Sequence, residues 1–142
     1  MANQVRVFKM TESAPRVVVF TCNWNAHESL QSAGKQRLAL PPGARTLKLD
    51  CLGQIGPGAI LKAFEKGADG VMLVGCTPEE CHYEFGSRRA HEVFIETRKL
   101  VGLLGLGEER LLFHEVRTGE GAELVEIVHA FVDELRAKGQ GV

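Results

Sequence analysis

The chain has 142 residues, with 17 basic and 18 acidic side chains, a formal net charge of -1, 44% hydrophobic residues and 25% charged ones. That length suits one domain with its own core, and the composition excludes a disordered chain and a binder driven by neutralising nucleic-acid phosphates. No apolar run approaches the ~18 residues that span a bilayer, and residues 1–15 hold no long apolar stretch of the secretory kind. A cytoplasmic protein with no membrane partner is therefore expected.

In chain order, residues 1–15 read as an N-terminal arm with one short strand at 5–8, and residues 16–142 as the domain. Arg16-Val17-Val18-Val19-Phe20-Thr21 is β-branched and continuously apolar, as a strand buried on both faces is. A polar helix is expected over 27–40, ended by Pro41-Pro42-Gly43. In the second strand, 44–50, Leu47 and Leu49 alternate with Lys48 and Asp50, the pattern of an edge. Gly56-Pro57-Gly58 opens the next helix, since proline suits the first helical position. Ile60, Leu61, Phe64 and Ala68 recur along it, with Gly67 near its end.

Gly70-Val71-Met72-Leu73-Val74-Gly75 is a third, fully apolar strand. A long helix is predicted over 86–104, with Ala90, Val93, Phe94, Thr97, Leu100, Val101 and Leu104 on one face. Residues 110–116 supply a fourth strand. Thr118 then caps a last helix with Leu124, Val125, Ile127, Val128, Phe131, Val132 and Leu135 facing inward. Strands alternate with helices throughout, which predicts a single-domain α/β fold. Its parallel sheet would have about four strands with helices on both faces, flavodoxin- or Rossmann-like. In such sheets ligands gather beyond the carboxyl ends of the strands, at the switch point of the strand order.

Four cysteines in a reducing cytosol point to metal or redox chemistry before disulfide staples. Cys22, Cys51 and Cys76 each follow one of the first three strands, so three sulfurs arrive at one end of the sheet. Cys81 lies five residues after Cys76, across Thr77-Pro78-Glu79-Glu80, which has the form of a capping box. In that register Cys76 precedes the cap and Cys81 is the fourth helical residue, the two positions that touch in a hydrophobic staple. A helix amino terminus also favours thiolate over thiol. Four such sulfurs suit tetrahedral zinc or an iron–sulfur cluster. The intervals of 28, 24 and four residues between successive cysteines supply one close pair, where structural zinc usually takes two. A [2Fe–2S] cluster tolerates scattered ligands better, but spacing leaves both open. Any one cysteine taken alone could be plain core; all four at one edge of the sheet argue against that.

Three stretches carry a resemblance: Val17-Val18-Val19-Phe20-Thr21-Cys22-Asn23-Trp24, Cys51-Leu52-Gly53-Gln54-Ile55 and Gly75-Cys76-Thr77-Pro78-Glu79-Glu80-Cys81-His82-Tyr83. With the run from Leu61 to Val71, they resemble the delta subunit of methyl-viologen-reducing hydrogenase over nearly the whole chain. The resemblance implies a small [2Fe–2S] electron-transfer protein that is not an enzyme by itself. It would relay electrons between a hydrogenase, formate dehydrogenase or similar oxidoreductase and the flavin-bearing A subunit of heterodisulfide reductase. The family pattern places cluster ligands on Cys22, Cys51, Cys76 and Cys81. Many members read Cys-Asn-Trp-Cys in the first loop, where this chain has Cys22-Asn23-Trp24-Asn25. Two other classes stay open: a zinc-stabilised assembly module, and a thiol redox protein in which Cys76 and Cys81 form a reversible disulfide.

Around the cysteines, Trp24 could shield a cluster from water, anchor a partner or simply pack. His82 could hydrogen-bond a cluster sulfur or face solvent. Gly53, with Gly56 and Gly58, could free backbone N–H groups for cluster sulfides or serve turn geometry alone. Arg88 and Arg89 read as a solvated helix face, and His27, His91, His114 and His129 share no spacing. No Walker loop, no Gly-x-Gly-x-x-Gly after the first strand and no nucleophile elbow occurs.

Overall fold

The computed structural model describes residues 15–22, 25–77, 86–117 and 119–140, the side chains of residues 87 and 138–140 excepted. Four strands, β1 (Val17–Cys22), β2 (Ala44–Leu49), β3 (Gly70–Cys76) and β4 (Leu111–Val116), form one parallel sheet in the order β2-β1-β3-β4. Between them run α1 (Asn25–Lys35), α2 (Pro57–Glu65) and α3 (Gly86–Leu103), and α4 (Gly121–Gln140) closes the chain. This is the α/β sheet expected from the alternating pattern, in the flavodoxin-like order. The chain steps from β1 outward to β2, then returns past β1 to β3. The switch point therefore lies between β1 and β3, whose last residues are Cys22 and Cys76.

The two central strands are buried because helices cover both faces. β3 is buried at every residue and β1 at all but Val18. α1 packs with α4 and against β1, β3 and β4, while α2 and α3 pack together and α3 meets β3 and β4. Leu124, Val128, Phe131, Val132 and Leu135 of α4 join the core, with Ile127 half-buried, as their spacing predicts. β2 is the edge strand its alternation indicated, and Leu47 stands 51% exposed. Beside it, Val18, Phe20, Leu47, Ala59, Arg45 and Lys62 line an open groove of about 1030 Å3. The groove reaches Arg16, Gly43 and Ala68, at the amino ends of the strands and away from the cysteines.

Several boundaries differ from the sequence expectation, each for a local reason. Cys22 and Cys76 end their strands instead of following them, because ladder pairing continues through Cys22↔Leu49 and Cys76↔Val116. α1 starts two residues before the expected 27 and stops at Lys35, five before the expected 40. Its end is a Schellman turn: the Arg37 N–H bonds the Gly34 carbonyl and the Leu38 N–H the Ala33 carbonyl. Arg37 takes the left-handed conformation there, φ 62°, a position where glycine is usual. The same turn ends α2 at Gly67 and α3 at Gly105 with glycines in place. Because α3 stops at Leu103, Leu104 (65% exposed) escapes the inward face on which Ala90, Thr97 and Val101 are buried. The expected strand at 5–8 and cap at Thr118 fall outside the described residues. So does most of the capping turn at 77–81, whose Thr77 hydroxyl is buried without a hydrogen-bond partner among the described residues.

Candidate functional site

The adjacent parallel strands β1 and β3 end side by side, so their terminal side chains meet. Cys22 Sγ lies 3.4 Å from Cys76 Sγ, and the two residues are 2% and 3% exposed. At the start of α1, the Ala26 N–H donates to Cys22 Sγ at 3.3 Å. An N–H aimed at sulfur is also the contact that a metal-bound cysteine sulfur accepts.

Cys51 is held differently. It caps the short 3₁₀ turn Leu52–Gln54, and its Sγ accepts the Gly53 N–H at 3.4 Å, as a serine or aspartate oxygen does at a helix start. Leu52 and Ile55, three residues apart on one side of that turn, are 1% and 4% exposed. Burying each is worth about 1.5–3 kcal/mol, which fixes the loop and leaves Cys51 half-buried at its outer edge. Gly53 also lets the loop approach the start of α3: a Cβ there would lie 2.8 Å from Gly86 Cα and 2.9 Å from its carbonyl oxygen. Arg89 Nε donates to the Gly53 carbonyl at 3.1 Å and ties the loop to α3 from outside.

Among the described residues, no three His, Cys, Asp or Glu side chains gather as closely as one metal ion requires. The structure thus brings two of the predicted ligands into contact and a third to the same end of the sheet on a neighbouring loop. Cys81, Trp24 and His82 lie outside the described residues.

Three contributors were missed in the sequence. Asn25 begins α1 6% exposed and donates from Nδ2 to the Val116 carbonyl at 3.2 Å. One turn on, Ser29 Oγ donates to the Arg117 carbonyl at 3.1 Å. Together they lock the helix after Cys22 onto the end of β4. Their signal was present: polar residues at i and i+4 share a helix face with Ala26 and Ala33, which are buried. Arg89, read as solvated, is the third. Of the crowded glycines, only Gly53 donates to a cysteine sulfur among the described residues; Gly56 caps α2 and Gly58 lies in its first turn.

Sulfur donors, N–H groups aimed at them and burial suit a thiophilic metal. Fold and site together define a parallel α/β protein that gathers cysteine sulfurs at the switch point of its sheet, where nucleotide-binding relatives of the fold keep a phosphate loop. The family profile described as methyl-viologen-reducing hydrogenase, delta subunit, matches residues 17–139, and the chain belongs to that family. Among its relatives is the iron-sulfur subunit of the vhc F420-non-reducing hydrogenase of Methanococcus voltae, 34% identical over 125 residues, 88% of this chain and 87% of that protein. The iron-sulfur subunit of the F420-non-reducing hydrogenase of Archaeoglobus profundus is 32% identical over 128 residues, covering 90% of this chain and 93% of its own length. The larger A chain of the ferredoxin:CoB-CoM heterodisulfide reductase of Methanosarcina mazei is 32% identical over 137 residues. That match covers 96% of this chain but 17% of the larger protein.

Proposed function

We propose that this chain is an electron-transfer subunit whose residues 16–142 hold one [2Fe–2S] cluster on Cys22, Cys51, Cys76 and Cys81, residues 1–15 forming a separate arm. It would relay single electrons between a hydrogenase or similar dehydrogenase and a heterodisulfide reductase A-like flavoprotein. The observation that carries the reading is the buried Cys22–Cys76 sulfur pair, 3.4 Å apart at the switch point. Cys51 arrives on a separate turn while Cys22 and Cys76 are already paired, which supports ligands spread over a two-iron object. The relatives named as iron-sulfur subunits support the cofactor class. In M. mazei a region like this chain is part of the heterodisulfide reductase polypeptide itself, which supports a flavoprotein of that type as the partner.

The cluster supplies one-electron redox chemistry when bound. The chain's own residues do the rest. β1 and β3 deliver Cys22 and Cys76 to a water-poor position, the Leu52–Gln54 turn presents Cys51 toward the surface, and Ala26 and Gly53 place N–H groups on two of the sulfurs. Trp24, two residues after Cys22, and His82, directly after Cys81, would lie near the ligands. Anaerobic purification with iron, sulfide and zinc analysis tests the reading. Equal iron and sulfide, two of each per chain, with visible charge-transfer absorption, is expected; a colourless protein with stoichiometric zinc would instead identify an assembly module.

A further inference from the structure

If the cysteines are cluster ligands, as proposed above, their arrangement carries one more piece of information: which of them share an iron. Two thiolates bound at ~2.3 Å to one tetrahedral metal lie ~3.8 Å apart, whatever the protein around them. Thiolates on different irons of a cluster are separated by the iron–iron distance as well. Cys22 Sγ and Cys76 Sγ, at 3.4 Å, sit within a few tenths of an ångström of the single-ion value. Each iron of a four-cysteine [2Fe–2S] cluster takes two protein thiolates, so a shared iron for this pair leaves Cys51 to the other one.

We infer that Cys22 and Cys76 are ligands of one and the same iron, and that Cys51 belongs to the other. Fold topology supplies the reason. The pair comes from the two strands that flank the switch point, with sulfurs already in contact across the sheet, whereas Cys51 arrives on a separate loop anchored by Leu52 and Ile55. The two irons then have different surroundings. The one on Cys22 and Cys76 is held by residues 2% and 3% exposed, and the other reaches the half-buried turn tied to Arg89.

The test uses the full chain loaded with 57Fe and Mössbauer spectra of the oxidised cluster, where each ferric iron contributes half of the absorption and replacing a ligand shifts the doublet of the iron it binds. A C22S/C76S double variant replaces both thiolates on one iron, so one doublet, half of the absorption, should change and the other should keep its parameters. A C22S/C51S variant should change both doublets. The reverse pattern would overturn the pairing. Should the variants fail to hold iron, proton NMR of the reduced wild-type protein reads the same property. The β-methylene resonances of Cys22 and Cys76 should share one temperature dependence, both ferric in type or both ferrous, and opposite types would overturn the proposal. A protein with no iron–sulfur absorption fails earlier and differently, in the optical spectrum, and takes the proposed function down with the pairing.

Discussion

Asn25 opens α1 with a buried amide, and its bond to the Val116 carbonyl joins the helix after Cys22 to the strand beside Cys76. Removing the donor leaves a buried carbonyl short of a partner, a loss of about 1–3 kcal/mol. Asn25→Ala should lower the urea-unfolding free energy of the metal-free protein by that amount while iron content in the loaded protein stays at the wild-type level. A loss of iron without a loss of stability would place Asn25 in the ligand set instead. Cys22, Cys51 and Cys76 were legible because each stands where a strand pattern stops. Their grouping was not: the sulfurs of Cys22 and Cys76 meet across 54 positions of sequence, and only the strand order makes them neighbours. Neither Asn25 nor Arg89 announces its role, because an amide or a guanidinium in a polar stretch reads as solvated until the opposing carbonyl is known.

Elements were legible in kind and less so in extent. Continuous apolar runs gave β1 and β3, alternation gave β2, and 3.6-residue periodicity gave α2, α3 and α4. The end of α1 escaped because Arg37 holds the left-handed position usually marked by glycine. That conformation costs a residue with a Cβ ~1 kcal/mol, so Arg37→Gly should stabilise the protein by up to about that amount in urea unfolding. The opposite sign is expected at the turn carrying Cys51. Gly53→Ala pushes a methyl group onto the Gly86 backbone, where neither side can yield by rotating a side chain. A loss of about 1–3 kcal/mol is expected, measured in the same denaturation series.

Across the whole molecule, the site couples segments far apart in the chain. The ends of β1 and β3 and the turn after β2 converge at one end of the sheet, so a bound metal group would cross-link three βα connections. Ligand binding to the native state alone raises its stability by mass action. The loaded protein should therefore melt well above the metal-free one, and the difference should vanish when a chelator strips the iron; equal melting temperatures would contradict a site that spans these connections. The parallel α/β class was readable from the alternation of elements, but the order β2-β1-β3-β4 was not, and that order is what makes the switch point a meeting place for sulfurs. No helix among the described residues is long and apolar enough to cross a membrane. The open groove beside β2 lies at the opposite end of the strands from the cysteines.

The central claim is that these cysteines hold a cluster that accepts single electrons. Low-temperature paramagnetic resonance of the anaerobically purified chain, reduced with dithionite, tests it most directly. One S = ½ signal integrating to about one spin per chain is expected, absent from the oxidised protein and lost in Cys76→Ala, which leaves no ligand atom at that position. A reduced wild-type protein that is silent, with zinc bound stoichiometrically, would contradict it.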